Sequence, residues 1–374
     1  MSRWQDSAQR GRTMRRSVLL LVGALSLVGT ESALGKLELI QVLFRNGERT
    51  PYPAESYPLD PYALGRHYTS AGGRLTEQGR WRAHRLGRAL RLHYEGQLPL
   101  PERPEDVYAY SADVPCCHES MSHVLEGLYD GNERAARQVR VRMLPRATDV
   151  LTNSRQCSRF RAEADRLRGS PEMQRMLAKY EGLYRYLRDN TGLSLDGPRV
   201  DESLYELYGL LEAQMSVNLT LPDWCSEGVF TLLQEIAFLH HELESRNDRL
   251  KRLNGGPLLR RFLDSVRRSG ARNRVHLYAA EARNVAALAR AMNKSYPRLP
   301  GFGSAIVLEK WRHERGGNFV RIVVWTGSTE KMFALQLRDC AEMCPLDEFA
   351  RRVKSVLPTD DDARCLLDDL RTRP

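Results

Sequence analysis

One short segment, Leu37–Phe44, constrains the fold of this chain more than any other. Its sequence, LELIQVLF, is a nearly continuous apolar run, which is typical of a strand buried on both faces of a sheet. The run leads directly into Arg45–Pro51 (RNGERTP), a loop with several charged side chains. Because open α/β sheets bind ligands at the carboxyl ends of their strands, the sequence predicts a site at this loop.

Helix and strand patterns alternate after this segment. Thr76 is a suitable N-cap for a helix that runs to about Tyr94. Val107–Tyr110 predicts a second strand, and a helix through Ser120–Leu128 follows it. This alternation is typical of an α/β protein.

From about residue 160 to 270 the pattern is helical throughout. Ser170 as N-cap and Pro171 in the first turn predict a helix that Gly192 ends. Two or three more helices are expected, at about 201–216, 226–252 and 257–269. Met and aromatic residues at helical spacing in this region indicate the core of a helix bundle rather than a cofactor site.

Strand patterns return toward the carboxyl end of the chain. They lie at Arg274–Ala280, Ala305–Lys310 and Phe319–Trp325, and a helix is expected after Pro345. Strands, then helices, then strands again predict an α/β core domain built from both ends of the chain, residues 36–160 and 270–374. An α-helical domain, residues 161–269, is inserted between them.

The amino-terminal residues 1–35 have the layout of a signal peptide. Arg15 and Arg16 precede the apolar run Val18–Val28, which is about half the length that a bilayer requires, and small residues lead to Gly35. Cleavage is expected after Gly35. No later apolar stretch approaches membrane length, so we expect no transmembrane segment and a secreted protein, or one in the lumen of lysosomes or other endomembranes.

The net charge of the chain is +10, of which +7 remains once the five arginines and two acids of residues 1–35 are set aside. Spread over arginine-rich helices, this charge is typical of a solvated surface. No module combines basic and aromatic residues in the way that nucleic-acid binding requires, so we expect no nucleic-acid partner.

Seven cysteines are present, and in an oxidising compartment they favour disulfides. None forms a Cys-x-x-Cys pair or has His at zinc-finger spacing, so we expect neither a structural metal nor a cofactor. An odd count leaves at least one thiol unpaired within a monomer. Asn218 and Asn293 begin glycosylation sequons, as a secreted glycoprotein would carry.

The loop Arg45–Pro51, which we call the motif loop, resembles the Arg-His-Gly-x-Arg-x-Pro motif of the histidine acid phosphatases, in the branch of the prostatic and lysosomal enzymes. The likeness covers nearly all of the chain after residue 35. Further matching segments are Tyr57–Tyr62 (YPLDPY), Leu75–Gly79 (LTEQG), Cys157–Phe160 (CSRF) and Pro345–Phe349 (PLDEF). The resemblance implies a phosphoglycerate-mutase-like α/β sandwich with an inserted α-helical domain, and a homodimer.

In this family a His nucleophile attacks phosphorus, three Arg side chains hold the phosphoryl oxygens, and a His-Asp pair supports the phosphate and protonates the leaving oxygen. By resemblance the two motif arginines are Arg45 and Arg49, both retained. The nucleophile position is Asn46, whose amide nitrogen has its lone pair delocalised and cannot attack phosphorus. This change alone removes the covalent route.

The other catalytic positions are also substituted. The third Arg falls on Cys116, in a segment that matches the family's Ser-Thr-Asp-x-x-Arg-Thr. The His-Asp pair falls on Glu281 and Ala282, although a one-residue slip would let Glu281 stand for the acid, with no His beside it. No arginine follows Cys116 at the spacing of a cysteine-phosphatase loop, and His118 and His276 match no family role.

These substitutions predict a pseudophosphatase that keeps a partial phosphate pocket. The alternative is an acid phosphatase that hydrolyses phosphate monoesters with low or rerouted activity. It requires a usable nucleophile within reach of Arg45 and Arg49. A purely structural or storage protein would show no phosphate affinity.

The resemblance also implies two disulfides, Cys157–Cys365 and Cys340–Cys344. It leaves Cys116, Cys117 and Cys225. The adjacent pair could form a strained vicinal bridge, or one of the two could pair with Cys225, and the sequence does not choose.

Overall fold

The central strand of the sheet, β1 (Lys36–Arg45), confirms the buried strand predicted at Leu37–Phe44. It pairs in parallel with β4 (Val275–Ala280) on one side and antiparallel with β5 (Ala305–Arg312) on the other. The computed structural model describes residues 35–52, 55–63, 72–268, 273–294, 299–328 and 331–362. The proposed signal peptide therefore lies, apart from Gly35, outside the described residues.

The sheet contains β2 (Val107–Ser111), β3 (Val141–Arg142), β6 (Asn318–Trp325), β7 (Phe333–Ala334) and β8 (Cys344–Pro345) besides these three strands. The strand order is β3-β2-β4-β1-β5-β6-β7, with β8 paired to β6. Strands β1 to β4 are mutually parallel. The carboxyl ends of β1, β2 and β4 consequently meet at one edge, which is where the motif loop begins.

Side chains of β1 alternate between two hydrophobic layers, as the two-residue period of a strand requires. Val42 and Phe44 pack toward α1 (Glu77–Tyr94), α2 (Pro115–Tyr129) and α3 (Glu133–Gln138). Leu39 and Leu43 pack toward the opposite layer, which contains α10 (Gly256–Arg267), α11 (Ala282–Ala291) and α12 (Leu346–Arg352). Helices on both faces explain why β1 is apolar almost throughout.

Between residues 158 and 253 the secondary structure consists of helices joined by loops, with no strand. The helices are α4 (Ser158–Arg168), α5 (Pro171–Ala178), α6 (Glu181–Thr191), α7 (Val200–Met215), α8 (Glu227–Leu243) and α9 (Asp248–Leu253). Short 3-10 helices lie at Pro104–Asp106, Ser154–Gln156 and Lys354–Val356. The α/β sheet with a helical insertion is thus confirmed. From Lys36 onward the described residues form one compact unit. The division into two domains stays a prediction.

Two of the predicted helices are wrong because each is interrupted. The helix from Pro171 to Gly192 breaks at Lys179 and Tyr180, where Tyr180 leaves helical geometry and begins α6. The helix at 226–252 breaks before Asn247, whose side-chain oxygen accepts a hydrogen bond from Leu250 N at 2.9 Å and caps α9. An Asn side chain competes with the helix backbone in this way, and apolar spacing does not show it.

The structure contains the Cys340–Cys344 disulfide, as predicted. Cys157 is also disulfide-bonded, but its predicted partner Cys365 lies outside the described residues, so this pairing stays a prediction. Cys116, Cys117 and Cys225 are free and buried. Neither a vicinal bridge nor a bridge to Cys225 is formed.

Asn218 and Asn293, the two predicted glycosylation sites, are exposed and follow the ends of α7 and α11. Both have the positive φ angles that Asn tolerates, 63° and 56°. The side chains are accessible, and glycosylation stays a prediction. None of the helices in the described ranges is long and apolar enough to cross a bilayer.

Two glycines let the motif loop lie backbone-to-backbone against the start of α1. A Cβ atom on Gly79 would lie 2.0 Å from Glu48 O, and one on Gly47 would lie 2.3 Å from Gly79 O. Both distances are far shorter than carbon and oxygen allow. Any side chain at either position must therefore displace the loop.

We expect Gly79→Ala to destabilise the protein by about 1–3 kcal/mol, the usual cost of inserting a methyl group into packed structure. Gly182→Ala in α6, where a Cβ meets nothing within 4 Å, is the matched control and should leave stability unchanged or slightly raised. Urea unfolding of both variants measures the difference. Equal midpoints would contradict the close packing.

Candidate active site

The motif loop is held at the sheet edge by hydrogen bonds from its first three backbone amides. Arg45 N donates to Ser304 O at 2.8 Å, and Asn46 N donates to Ala280 O at 3.1 Å. Gly47 N donates to Ser120 Oγ in α2 at 3.0 Å. The loop is therefore fixed to β4, to α2 and to Ser304, the residue before β5. Arg45, Asn46 and Arg49 from this loop line a cleft of about 670 Å³.

Arg45 lies at the base of this cleft and is already paired. Its Nη2 donates to Glu212 Oε2 in α7 at 2.9 Å, and Nη1 donates to Pro300 O at 2.7 Å. The guanidinium also stacks 3.8 Å from the ring centre of Phe302. Burial alone would lower the pKa of Arg45, but the Glu212 carboxylate raises it. Arg45 thus remains charged, with part of its charge balanced by Glu212.

Arg49 is engaged in the same way by another carboxylate. Its two terminal nitrogens donate to the two oxygens of Glu55 at 2.8 and 2.6 Å, the bidentate geometry that also suits a phosphate. The guanidinium stacks 4.0 Å from the ring centre of Tyr52. An incoming phosphate must share or displace Glu55.

Asn46 occupies the predicted nucleophile position and lines the cleft, although only 3% of it is exposed. Its Nδ2 donates to the carbonyl oxygen of Gly47 at 2.8 Å. An amide nitrogen that donates in this way presents hydrogens and no lone pair to a ligand.

Cys116, at the predicted third-Arg position, lies in the first turn of α2 and has no exposed surface. Its Sγ is 3.2 Å from Tyr52 Oη. Burial alone would raise the pKa of the Cys116 thiol, but hydrogen bonding with Cys117, the charge of Arg49 and the Tyr52 hydroxyl together lower it. Asp113, Val114 and Pro115 line the cleft beside it. Cys116 therefore lies behind the wall of the cleft, with Tyr52 in front.

Glu281 and Ala282, at the predicted His-Asp positions, line the cleft where β4 ends and α11 begins. Glu281 Oε2 accepts a hydrogen bond from Arg283 Nη2 at 2.9 Å and lies 3.5 Å from Arg146 Nη1. Burial alone would raise the pKa of the Glu281 carboxyl, but the charges of Arg283 and Arg146 lower it to about 2. The cleft therefore holds an ionised carboxylate at the position where the resemblance predicts an imidazole in the family.

Sequence reasoning missed six ionisable residues that shape the cleft, because none matches a family motif. They are Glu55, Arg146, Arg155, Glu206, Glu212 and Arg283. Glu212 comes from the helical insertion, and its pairing with Arg45 joins residues far apart in the chain. Only tertiary contact brings such residues together, so spacing along the sequence gives no signal for them.

The histidines weighed from the sequence do not supply a catalytic imidazole. His118 is exposed on α2 and does not line the cleft. His276 is buried in β4, and burial together with Arg261 lowers its pKa to about 4. His241 does line the cleft, but burial and the neighbouring His240 lower its pKa to about 3. Such an imidazole is neutral and a poor proton donor at mildly acidic pH.

No group of three or more His, Cys, Asp or Glu side chains within the described ranges is arranged to hold a metal ion. The expectation of no metal and no cofactor rests on the sequence and the resemblance.

The pKa of Glu281 predicts how stability depends on pH. A carboxyl whose pKa is lowered from 4.5 to about 2 contributes stability above pH 4.5 and loses it as the pH falls toward 2. We expect Glu281→Gln to cost about 2–3 kcal/mol at pH 6, since each pKa unit corresponds to about 1.4 kcal/mol. The difference from the unaltered protein should shrink near pH 2. Unfolding curves that stay parallel across this range would contradict the ion pairs.

Comparison with known proteins identifies the family. Residues 36–325 match the model of the histidine phosphatase superfamily, branch 2. The venom acid phosphatase Acph-1 of Apis mellifera is 30% identical over 345 residues, which cover 88% of each chain. The prostatic acid phosphatase of Homo sapiens is 27% identical, over 94% of this chain and 97% of the relative.

Solved structures show the same fold at lower identity. The phytase of Klebsiella sp. ASR1 superimposes with a TM-score of 0.69 at 19% identity, over 88% of this chain and 97% of the phytase. A Hafnia alvei phytase gives 0.69 at 16% identity, over 87% and 98%. The family match, the similarity to acid phosphatases and the shared fold agree, and the chain belongs to branch 2 of the histidine phosphatase superfamily.

Proposed function

We propose that this member of the family is a catalytically impaired pseudophosphatase that keeps a partial phosphate pocket. The observation that carries the proposal is Asn46, which lies at the end of β1, where the family places its nucleophile, and donates its amide hydrogen to Gly47 O. A phosphohistidine cannot form there. The two arginines beside it, Arg45 and Arg49, remain charged and face the cleft.

The other substitutions act in the same direction. Loss of one donor to the developing charge costs about 10²–10³ in rate, and a general acid contributes about 10²–10⁴. Cys116 supplies no such donor to the cleft, and Glu281 is ionised rather than ready to give a proton. Since uncatalysed hydrolysis of phosphate monoesters is among the slowest reactions known, the remaining groups leave little activity.

An acid phosphatase with low or rerouted activity is the alternative. The observation in its favour is the Cys116 thiol, whose pKa Arg49 helps to lower. Its complete burial behind Tyr52 opposes attack on a substrate in the cleft. The pseudophosphatase therefore accounts for more of the site.

The setting we propose is the secretory pathway, with the mature glycoprotein secreted or retained in the lumen of lysosomes. The relatives include proteins named as venom, lysosomal and prostatic acid phosphatases. The exposed sequons at Asn218 and Asn293 agree with this setting. A phosphate or phosphomonoester is the proposed ligand, and a homodimer is the proposed assembly.

Turnover by the purified protein tests the proposal. We expect hydrolysis of a phosphate monoester across acidic pH to stay close to the uncatalysed rate. A family member with an intact motif, measured under the same conditions, is the positive control. Rates near those of the intact relative, abolished by Arg49→Ala, would contradict the proposal and show that another residue supplies the nucleophile.

Phosphate binding should be weak, at millimolar strength, because Glu212 and Glu55 already occupy Arg45 and Arg49. We expect a thermal shift at high phosphate that Arg45→Ala abolishes. No shift at any phosphate concentration would contradict the partial pocket and favour a structural role.

Repair of the site gives a further prediction. Asn46→His alone should yield little turnover, since the new imidazole lacks the third Arg and the acid. Asn46→His, Cys116→Arg, Glu281→His and Ala282→Asp together should restore acid-pH hydrolysis by more than the product of the single gains, because these groups act as a unit. A folded fourfold variant without activity, its fold checked by circular dichroism, would contradict the claim that the scaffold survives.

A further inference from the structure

Glu281 carries its negative charge among the cations of the cleft. Its carboxylate bonds to Arg283 at 2.9 Å and lies 3.5 Å from Arg146, and only 18% of its side chain is exposed. Arg49 also contributes to lowering the pKa of Glu281, so the carboxylate lies within the field of the motif loop. A phosphate in this cleft would meet a fixed negative charge.

The field of this carboxylate reaches the position of the missing third arginine as well. The charge of Glu281 acts to raise the pKa of Tyr52, of Cys116 and of Cys117. The Glu281 carboxylate is therefore electrostatically coupled to Cys116, at the predicted third-Arg position, and to its neighbours Cys117 and Tyr52.

Helix capping accounts for only part of this arrangement. Glu281 is the N-cap residue of α11 and forms a capping box with Asn284, whose Oδ1 accepts a hydrogen bond from Glu281 N at 3.2 Å. An uncharged side chain such as Gln can also accept from the helix backbone, so capping alone does not require a charge at this position. The charge instead balances Arg283, whose side chain is 15% exposed, and Arg146 on the wall of the cleft.

We propose that Glu281 is a built-in anion that occupies the arginines of the cleft in place of phosphate and so keeps its affinity for phosphate low. Removal of the charge makes Arg146 and Arg283 available to a ligand and removes the repulsion. This inference rests on the proposed phosphate pocket and adds the residue that lowers the affinity of that pocket for phosphate.

The effect is large enough to measure. Two like charges within one partly buried cleft repel enough to change a binding constant by about 10- to 100-fold. Charge-assisted bonds from a newly available guanidinium act in the same direction. We therefore expect Glu281→Gln to bind inorganic phosphate about 10- to 100-fold more tightly than the unaltered protein.

The matched control is Glu206→Gln. Glu206 also lines the cleft, from α7, and forms no ion pair with any residue that the structure describes, although burial raises the pKa of its carboxyl. The titrations are therefore run at mildly alkaline pH, where both carboxyls are ionised, so that this change also removes one negative charge but breaks no ion pair. Inorganic phosphate is titrated at constant ionic strength, kept with potassium chloride, and binding is followed by thermal shift. We expect Glu206→Gln to tighten binding by less than about threefold.

Two outcomes would overturn the inference. Equal phosphate affinity in Glu281→Gln and the unaltered protein shows that the carboxylate does not compete, and an equal gain in both variants shows that only the overall charge of the cleft counts. A gain that Arg49→Ala does not remove places the phosphate outside this cleft and contradicts the inference too.

A second variant tests the inference if Glu281→Gln does not fold. The double change Glu281→Gln with Arg283→Gln removes the buried pair together and leaves the net charge unchanged, and we expect it still to bind phosphate more tightly than the unaltered protein, through Arg146 and Arg49. If this variant binds phosphate no more tightly than the unaltered protein, the inference is overturned. The proposed function is tested separately, by turnover of the unaltered protein, so either can fail alone.

Discussion

The hydrogen bonds that continue the sheet beyond β1 determine the rest of the site. Arg45 N to Ser304 O and Asn46 N to Ala280 O fix the first residues of the motif loop between two neighbouring segments. Gly47 and Gly79 then allow the loop to lie against α1 without space for a side chain. These are backbone contacts, so the position of the motif loop does not depend on which side chain occupies position 46.

The two retained arginines alone would suggest a cleft with excess positive charge, but carboxylates balance much of that charge. Arg45 is paired with Glu212, Arg49 with Glu55, and Arg283 with Glu281. Buried ion pairs of this kind contribute little net stability, but removal of one partner leaves an uncompensated charge. The carboxylates thus stabilise the cleft in the absence of a ligand, and they compete with any phosphate that enters it.

Much of the fold could be predicted from the sequence, because apolar spacing reports burial directly. The strands at Leu37–Phe44 and Ala305–Lys310 and the helix after Thr76 lie close to where their patterns place them. The breaks at Tyr180 and before Asn247 depend on local side-chain and backbone hydrogen bonds, which apolar spacing does not show. The family motif predicts which positions of the site are substituted, and this assignment stays a prediction. The carboxylates that pair with its arginines could not be predicted, because Glu212 reaches Arg45 only through tertiary packing.

The central claim is that the cleft contains no group able to take a phosphoryl group. Intact-protein mass spectrometry after incubation with a phosphate monoester at acidic pH and a rapid quench tests it most directly, with a family member that has the intact motif as the positive control. We expect the control to show a covalent phosphoryl adduct and this protein to show none. An adduct on this protein, mapped to Cys116 or to any other side chain of the cleft, would contradict the account.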